Sequence, residues 1–254
     1  IRDQPLSRGL GDVYKRQALK GDFSQKAFMA SLFTVLFVAV MCYVILMLFK
    51  YLSKKKEEKP ETGGIKNIIF DVGQVLVDYD WETYLDSFGF EPAKRERIAK
   101  ATFQSPVWDE RDRGLYEEDV YLKQFQELDP EDAEDIEKVI RGTGGTIHKR
   151  PYADTWVKYL KSKGYHVYIL SNYSSYMLDH TKKELTFRRE MDGEVFSCYA
   201  KLLKPDAEIY QIILNKYQLK PEECVFIDDR SENCRGAQEQ GIHTICFKDF
   251  KQVT

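Results

Sequence analysis

Short apolar runs alternate with amphipathic stretches from about Lys66 to the end of the chain. Runs of consecutive apolar or β-branched residues predict strands, and apolar residues spaced three and four apart predict helices. The predicted strands are residues 67–72, 166–171, 225–228 and 243–247, and the predicted helices are residues 152–163, 206–217 and 232–240. Because strands alternate with helices, the pattern predicts an α/β fold with a Rossmann-like parallel sheet and right-handed crossovers.

A long charged segment, residues 80 to about 150, separates the first two predicted strands. Glycine and proline interrupt it repeatedly, which divides it into short elements. Helical spacing recurs in places, and Val120, Phe125 and Leu128 would then share one apolar face. We therefore predict a helical cap inserted after the first strand.

Polar side chains follow three of the predicted strands at the point where each strand ends. In chain order these residues are Asp71, then Ser171 and Asn172, then Asp228 and Asp229. Lys204 comes between the second and third of these groups, just before the predicted helix 206–217. A carboxylate at the exit of a buried strand is costly unless it has a partner or a task. At the carboxyl end of a parallel strand that task is usually ligand binding, so Asp71 is a candidate nucleophile, metal ligand or both. The alternative is that Asp71 caps a helix.

In this order the residues resemble the four motifs of the haloacid dehalogenase-like (HAD) hydrolases. Asp71 corresponds to the first motif, Ser171-Asn172 to the second, Lys204-Pro205 to the third and Asp228-Asp229 to the fourth. The resemblance covers roughly three quarters of the chain. Each motif alone is weak, whereas all four in order are specific.

The resemblance implies a phosphatase that works through an aspartyl-phosphate and needs Mg²⁺. Asp71 would attack phosphorus and also bind the metal, and Asp229, supported by Asp228, would hold the Mg²⁺. Such a carboxylate splits a slow hydrolysis into two easier steps. The alternative for Asp228 or Asp229 is a cap of the helix that begins near Glu232.

The remaining motif residues would neutralise the charge on the phosphoryl oxygens. Ser171 and Asn172 would donate hydrogen bonds to the substrate phosphate, and Lys204 would supply a fixed positive charge. Individually, Ser171 or Asn172 could instead cap the following helix, and Lys204 could be an ordinary surface lysine.

One position departs from the pattern of most HAD phosphatases. They carry a second aspartate two residues after the nucleophile as the general acid and base, and this chain has Gly73 there. Together with Asp78 and Asp80, this glycine resembles a sub-branch that contains bacterial α-D-glucose-1-phosphate phosphatase. That resemblance implies that activity survives the loss, since an anomeric leaving group needs less protonation. It also leaves the proton donor unassigned.

Composition narrows the class of protein. A length of 254 residues predicts one or two domains, and a net charge of −3 without a basic patch argues against nucleic-acid binding. The five cysteines are scattered without metal-ligand spacing, which is typical of reduced thiols in the cytosol. A small phosphorylated metabolite is the predicted substrate. The alternatives are a non-catalytic HAD-like binding module and a haloacid dehalogenase-type hydrolase, although dehalogenation needs no metal and so leaves the Asp228-Asp229 pair unexplained.

Residues 27–49 form a run of 23 residues without a charged side chain. As a helix this run would span roughly 34 Å, enough to cross a bilayer core of ~30 Å. Lysines are more numerous after the run than before it, which favours a cytoplasmic location for the C-terminal side. We therefore predict a transmembrane helix at 27–49, a linker at 50–64 and a membrane-anchored hydrolase domain at 65–254.

Residues 1–26 form the N-terminal segment before this run, and residues 1–17 resemble translated sequencing-adapter sequence. We expect residues 1–17 to be foreign to the native gene. If the whole apolar run were also an assembly artefact, the native protein would begin near Ile65 and would be cytoplasmic.

Overall fold

The computed structural model describes residues 41, 43, 45–47 and 64–253. The chain divides into two units, Ile1–Thr62 and Gly63–Thr254. In the first unit the described residues are helical and their side chains are exposed. The predicted N-terminal segment, and most of the predicted span and linker, lie outside the described residues. Among the residues that are described, no helix has the length and apolar character needed to cross a membrane.

The second unit is built on a five-stranded parallel sheet, which confirms the predicted fold class. Its strands are β1 (Asn67–Phe70), β4 (His166–Ser171), β5 (Gly193–Phe196), β6 (Cys224–Asp228) and β7 (His243–Cys246). The strand order is β5-β4-β1-β6-β7, so β1 is central and pairs with β4 and β6. The edge strand β5 was not among the predicted strands. A separate antiparallel pair is formed by β2 (Val77–Tyr79) and β3 (Ile147–Lys149).

Ten helices accompany these strands in the described part of the second unit, apart from short 3₁₀ turns. Five lie between β2 and β3: α1 (Trp81–Asp86), α2 (Pro92–Ala101), α3 (Pro106–Arg113), α4 (Glu118–Leu128) and α5 (Ala133–Arg141). The other five follow β3: α6 (Ala153–Ser162), α7 (Ser175–His180), α8 (Ser197–Ala200), α9 (Ala207–Tyr217) and α10 (Ser231–Glu239).

The sheet is covered on both faces, as its continuous apolar strands require. In β1, Ile68 and Phe70 point into one buried cluster, and Ile69 points into the other. Trp156 of α6 packs edge-on against Phe70, with ring centroids 4.8 Å apart. Apolar spacing in the predicted helix 152–163 would place Tyr159 on the inward face together with Trp156, but Tyr159 is 57% exposed.

The five helices between β2 and β3 enclose an apolar cluster of their own, which we call the cap cluster; Leu85, Ile98, Phe125 and Ile136 are among its buried members. The predicted apolar face of α4 was wrong in detail. Tyr121, Leu122 and Phe125 are buried, whereas Val120 and Leu128 are 40% and 53% exposed. The helix therefore packs through a face rotated from the one that sequence spacing suggested.

Candidate functional site

Asp71 follows the central strand β1 directly, with its backbone N–H bonded to the carbonyl of Ile227 at 2.9 Å. Three donors converge on its Oδ1: the backbone N–H of Val72 at 2.7 Å, the Ser171 hydroxyl at 2.7 Å and Lys204 Nζ at 2.8 Å. Among the described residues, no hydrogen bond or ion pair reaches Oδ2. Oδ2 is therefore the oxygen left for a substrate or a cation.

Lys204 lies between two carboxylates. Its ammonium contacts Asp71 Oδ1 at 2.8 Å and Asp228 Oδ2 at 2.7 Å, and its side chain is 1% exposed. It also lies over the ring of Phe226, 5.2 Å from the centroid. The surface-lysine alternative is wrong, since this ammonium is buried and paired twice.

Asp228 is fully buried, and both of its carboxylate oxygens accept hydrogen bonds from protein donors. Oδ1 accepts from the Arg230 backbone N–H at 2.8 Å and from Asn233 Nδ2 at 3.0 Å. Oδ2 accepts from Lys204 at 2.7 Å and from Asn233 at 3.1 Å. Its neighbour Asp229 is less buried and lines the cavity beside Asp71. Asp228 therefore fixes Lys204 and Asn233 in place and offers fewer free lone pairs than Asp71 or Asp229.

Ser171, the last residue of β4, and Asn172, which follows it, contact the other motif residues. Ser171 donates its hydroxyl hydrogen to Asp71. The side chain of Asn172 clamps the backbone of Lys204: its Oδ1 accepts from Lys204 N at 2.8 Å, and its Nδ2 donates to Lys204 O at 3.1 Å. In this arrangement Asn172 positions the lysine, and one amide hydrogen remains for another acceptor.

Oxygen ligands for a divalent cation are close together at this sheet edge. One ligand atom from each of Asp71, Asp228 and Asp229 lies within 4.8 Å of the others. Within the described part of the chain, the buried Oδ1 of Asn233 has no hydrogen-bond partner, and this residue lines the same cavity. An all-oxygen donor set with an unsatisfied amide oxygen nearby fits a hard cation such as Mg²⁺.

The electrostatics of the site are those of several charges held out of water. Burial raises the pKa of Asp71 to about 7, and the Lys204 ammonium opposes that rise. Burial likewise raises the pKa of Asp229, and the charge of Asp228 adds to the effect. Burial disfavours the charge on Lys204, but the two carboxylates outweigh it and raise its pKa. One ammonium therefore faces three acids, and a cation would stabilise their ionised forms.

A cavity of about 280 Å³ opens above Asp71. Its floor includes Asp71, Asn172, Lys204 and Asp229, and aromatic side chains form part of its wall: Tyr79, Phe103, Trp108 and Tyr173. The cap contributes Phe103 and Trp108, whose ring centroids are 5.0 Å apart. The segment between β2 and β3 therefore forms part of the wall of the site.

The structure brings all six predicted site residues into one cluster, and it adds residues that the sequence did not single out for the site. Asp109 and Asp112 of α3 and Arg230 beside the acidic pair also line the cavity. Their positions carried no signal, because α3 lies in a stretch where charged residues are common.

Asp78 and Asp80, the acids that accompany Gly73 in the resembling sub-branch, do not line this cavity. Asp78 forms a partly exposed ion pair with Arg150 at 2.9 Å. Asp80 caps α1, where its carboxylate accepts from the Thr83 backbone N–H at 3.1 Å.

Comparison with known proteins agrees with this geometry. Residues 65–241 match the family model of the haloacid dehalogenase-like hydrolases, and the chain belongs to that family. The match includes four of the five sheet strands, the motif residues and the cap segment, and it ends just before β7.

The alignments of this chain with two curated relatives cover most of the length of each relative. The chain is 27% identical over 191 residues to the D-ribitol-5-phosphate phosphatase of Bacteroides thetaiotaomicron, which covers 71% of this chain and 90% of that protein. It is 26% identical over 178 residues to a sesquiterpene phosphatase of Aspergillus oryzae, covering 70% of this chain and 87% of the relative.

A solved structure shows the same fold. It is a HAD family enzyme of Bacteroides thetaiotaomicron in complex with magnesium and inorganic phosphate, with a TM-score of 0.61 and 23% identity. The alignment covers 75% of this chain and 99% of that protein.

Proposed function

We propose that this protein is a Mg²⁺-dependent phosphatase that hydrolyses a small phosphorylated metabolite through an aspartyl-phosphate on Asp71. The observation that carries the proposal is the asymmetry of the Asp71 carboxylate. Three donors hold Oδ1, and Oδ2 has no protein partner in the described part of the chain. Such a carboxylate is oriented for attack and has a free oxygen.

The residues around Asp71 suit phosphoryl transfer. Asp71 and Asp229 would hold the metal, with Asp228 and Asn233 behind them. When bound, Mg²⁺ would neutralise charge on the phosphoryl oxygens. Lys204 favours the ionised form of Asp71 and places a positive charge beside the proposed phosphate position. The hydroxyl of Ser171 fixes the orientation of the attacking carboxylate.

The cavity supports a small substrate. Its volume of about 280 Å³ lies near the lower end of ordinary ligand pockets, and cap aromatic residues limit its height. A sugar phosphate fits this size, and an anomeric phosphate fits the resemblance of the Gly73 loop. The phosphatase names of two relatives support the reaction class, and they differ in the alcohol that is released.

A substrate screen tests the proposal. The full chain, purified in mild detergent, is assayed for phosphate release from sugar phosphates, polyol phosphates and aryl phosphates, with Mg²⁺ and with a chelator. The proposal expects Mg²⁺-dependent release. Release of halide from 2-haloacids without metal would instead identify a dehalogenase, and saturable ligand binding without turnover would identify a binding module.

The proposal includes a membrane anchor at residues 27–49, with the hydrolase domain on the cytoplasmic side. It rests on the uncharged run and on the lysines after it. Alkaline carbonate extraction of cell membranes tests the anchor, and a C-terminal reporter active on one side only tests the orientation. Extraction of the protein into the carbonate supernatant would contradict the anchor and would favour an assembly artefact.

A further inference from the structure

The position two residues after Asp71 carries glycine, so this loop offers no side-chain proton donor there. Gly73 lines the cavity, and a Cβ placed on it would have no other atom within 4 Å. The space is therefore open, but no side chain fills it from this loop. A poor leaving group such as an alkyl alkoxide still needs a proton, which another residue of the cavity could supply.

Asp112, near the C-terminal end of α3, places a carboxylic acid in the same cavity as Asp71, Lys204 and Asp229. We propose that Asp112 protonates the leaving oxygen and then activates the hydrolytic water, in place of the carboxyl that Gly73 lacks. This inference rests on the proposed phosphatase function.

The cap segment that carries Asp112 is anchored to the sheet side of the site. The carbonyl of Asp112 accepts a hydrogen bond from the Ser197 hydroxyl at 2.6 Å, and that hydroxyl accepts from the Tyr173 backbone N–H at 2.8 Å. One short chain of bonds thus joins α3 to the loop after β4. The backbone of Asp112 is therefore linked, through Ser197, to the residues that follow that strand.

The next turn of the chain makes a second anchor. Gly114 ends α3 with φ of 70°, and a Cβ on it would lie 2.9 Å from the Cα of Cys198. The Lys201 ammonium donates to the Gly114 carbonyl. Only glycine combines this φ with such a close approach, so the helix end sits directly on α8.

The surroundings of Asp112 suit a group that both gives and takes a proton near neutral pH. Burial raises the pKa of Asp112 to about 7, and the Arg111 guanidinium and the Ser174 backbone N–H oppose that rise. Asp109 and Asp71 raise it further. The other titratable groups whose electrostatic interactions involve Asp112 are Tyr79, Tyr173 and Cys198. An acid and base that works at neutral pH needs a pKa in this region.

The second acid of α3 is less suited to the task. Asp109 lines the cavity one turn earlier, but it is exposed to solvent. Water can hydrate its charge, whereas an acid that keeps its proton for the leaving group needs a position away from bulk water.

The two chemical steps balance with Asp112 as the proton carrier. In the first, Asp71 Oδ2 bonds to phosphorus, the bridging P–O bond breaks, and its electron pair takes the Asp112 proton to release the alcohol. In the second, a water oxygen attacks phosphorus and gives a proton to the Asp112 carboxylate. The acyl-phosphate P–O bond then breaks, which restores Asp71 and releases inorganic phosphate.

Leaving-group dependence tests this assignment. The experiment compares four full-length proteins with Mg²⁺: wild type, Asp112→Asn, Asp112→Glu and Asp109→Asn. The substrates are aryl phosphates of graded leaving-group pKa and one alkyl phosphate. We expect Asp112→Asn to lower kcat/KM for the alkyl phosphate by about 10²–10⁴-fold. The loss should be less than about tenfold for a nitrophenyl phosphate, whose leaving group needs little proton. Asp112→Glu should restore part of the loss.

The pH profile is the second readout. Wild-type turnover of the alkyl phosphate should fall as pH rises through about 7, because Asp112 loses its proton there. That limb should be absent in Asp112→Asn and present in Asp109→Asn. The inference would be overturned, with the proposed function intact, if Asp112→Asn lowered kcat/KM equally for every leaving group. The same holds if Asp109→Asn, and not Asp112→Asn, showed a loss that depends on the leaving group. Absence of phosphate release from every substrate by the wild type would overturn the proposed function and the inference with it.

Discussion

The ammonium of Lys204 lies 2.8 Å from Oδ1 of Asp71, and both side chains are buried, with 1% and 10% of their surface exposed. The same ammonium also neutralises Asp228, 2.7 Å away. One cation thus serves two carboxylates in a region where unpaired charge is costly. Removing it would leave two acids facing each other, with consequences for stability as well as for activity.

Replacement of that cation should destabilise the protein. Lys204→Met should lower the free energy of unfolding by about 3–5 kcal/mol without metal, because it leaves Asp71 and Asp228 without their shared counter-ion. Mg²⁺ should restore part of the loss. Chemical denaturation at pH 7 with and without Mg²⁺ measures both effects. The control is Lys220→Met, an exposed lysine paired with Glu223, which should change stability by less than about 0.5 kcal/mol. Indistinguishable unfolding curves for the two variants would contradict the role given to Lys204.

Removal of the accessible acid at the end of β6 should weaken metal binding. Asp229→Ala should lose activity and shift the Mg²⁺ concentration needed for half-maximal rate upward by about tenfold or more. The reason is that Asp229 and Asp71 offer freer oxygens than Asp228 does. Rate measured against Mg²⁺ concentration gives the answer. A curve that overlays the wild-type curve after scaling for rate would place the metal elsewhere.

The strands that carry the motif residues could be predicted from the sequence. Apolar runs predicted β1, β4 and β6, because a strand covered on both faces has no polar side. The edge strand β7 was also predicted, although its residues are only exposed or half-buried. The edge strand β5, Gly193–Phe196, has Glu194 in its middle and contacts the sheet through one neighbour only. Its short mixed pattern carried no comparable signal. The face of α4 was misjudged for a related reason, since packing within the cap decides which apolar side chains are buried.

Some residues of the candidate site could likewise be predicted from the sequence, and others could not. Residues at strand ends, such as Asp71 and Asp228, follow from topology, because parallel strands end at one edge. Asp112 reaches the site from a helix whose place above the sheet depends on tertiary contacts, including Ser197 and Gly114 against α8. No local pattern in a charged segment distinguishes it from its neighbours. The clamp of Asn172 on the Lys204 backbone is likewise a three-dimensional relation between distant residues.

A carboxyl at position 73 should take over the proton transfer that is assigned to Asp112. Gly73 has no positive φ, and the space around it is open, so Gly73→Asp should fold normally. In the Asp112→Asn background it should raise alkyl-phosphate turnover by about tenfold or more, whereas with Asp112 intact it should change little. Gly73→Ala in the same background is the matched control without a carboxyl. Equal rates for Gly73→Asp and Gly73→Ala in that background would count against a missing proton donor.

The raised pKa of Asp112 also predicts a change in stability with pH. A carboxyl whose pKa rises on folding, here to about 7, favours the folded state at low pH and loses that contribution progressively as pH increases from the usual carboxyl range through about 7. Asp112→Asn removes the charge of this half-buried acid and should therefore be more stable than wild type at pH 8, by about 1–2 kcal/mol or roughly 2–8 °C in Tm.

Thermal unfolding without metal at pH 5 and pH 8 measures this difference. At pH 5 the difference in Tm should be clearly smaller than at pH 8, because most of the loss of stability between about pH 4 and pH 7 still lies ahead. A constant difference in Tm at both pH values would indicate that the charge of Asp112 is not what the substitution changes.

The most direct test of the proposed reaction is phosphate release by wild type and Asp71→Asn under saturating Mg²⁺, with Asp78→Asn as the matched control. Asp78 makes the same carboxylate-to-amide change outside the cavity, in a partly exposed ion pair with Arg150. With Asp71 as the nucleophile, Asp71→Asn should lower kcat by about 10³-fold or more while retaining the wild-type circular dichroism spectrum, and Asp78→Asn should stay within about twofold. Retention of more than about a tenth of the wild-type rate by folded Asp71→Asn would contradict the proposed mechanism.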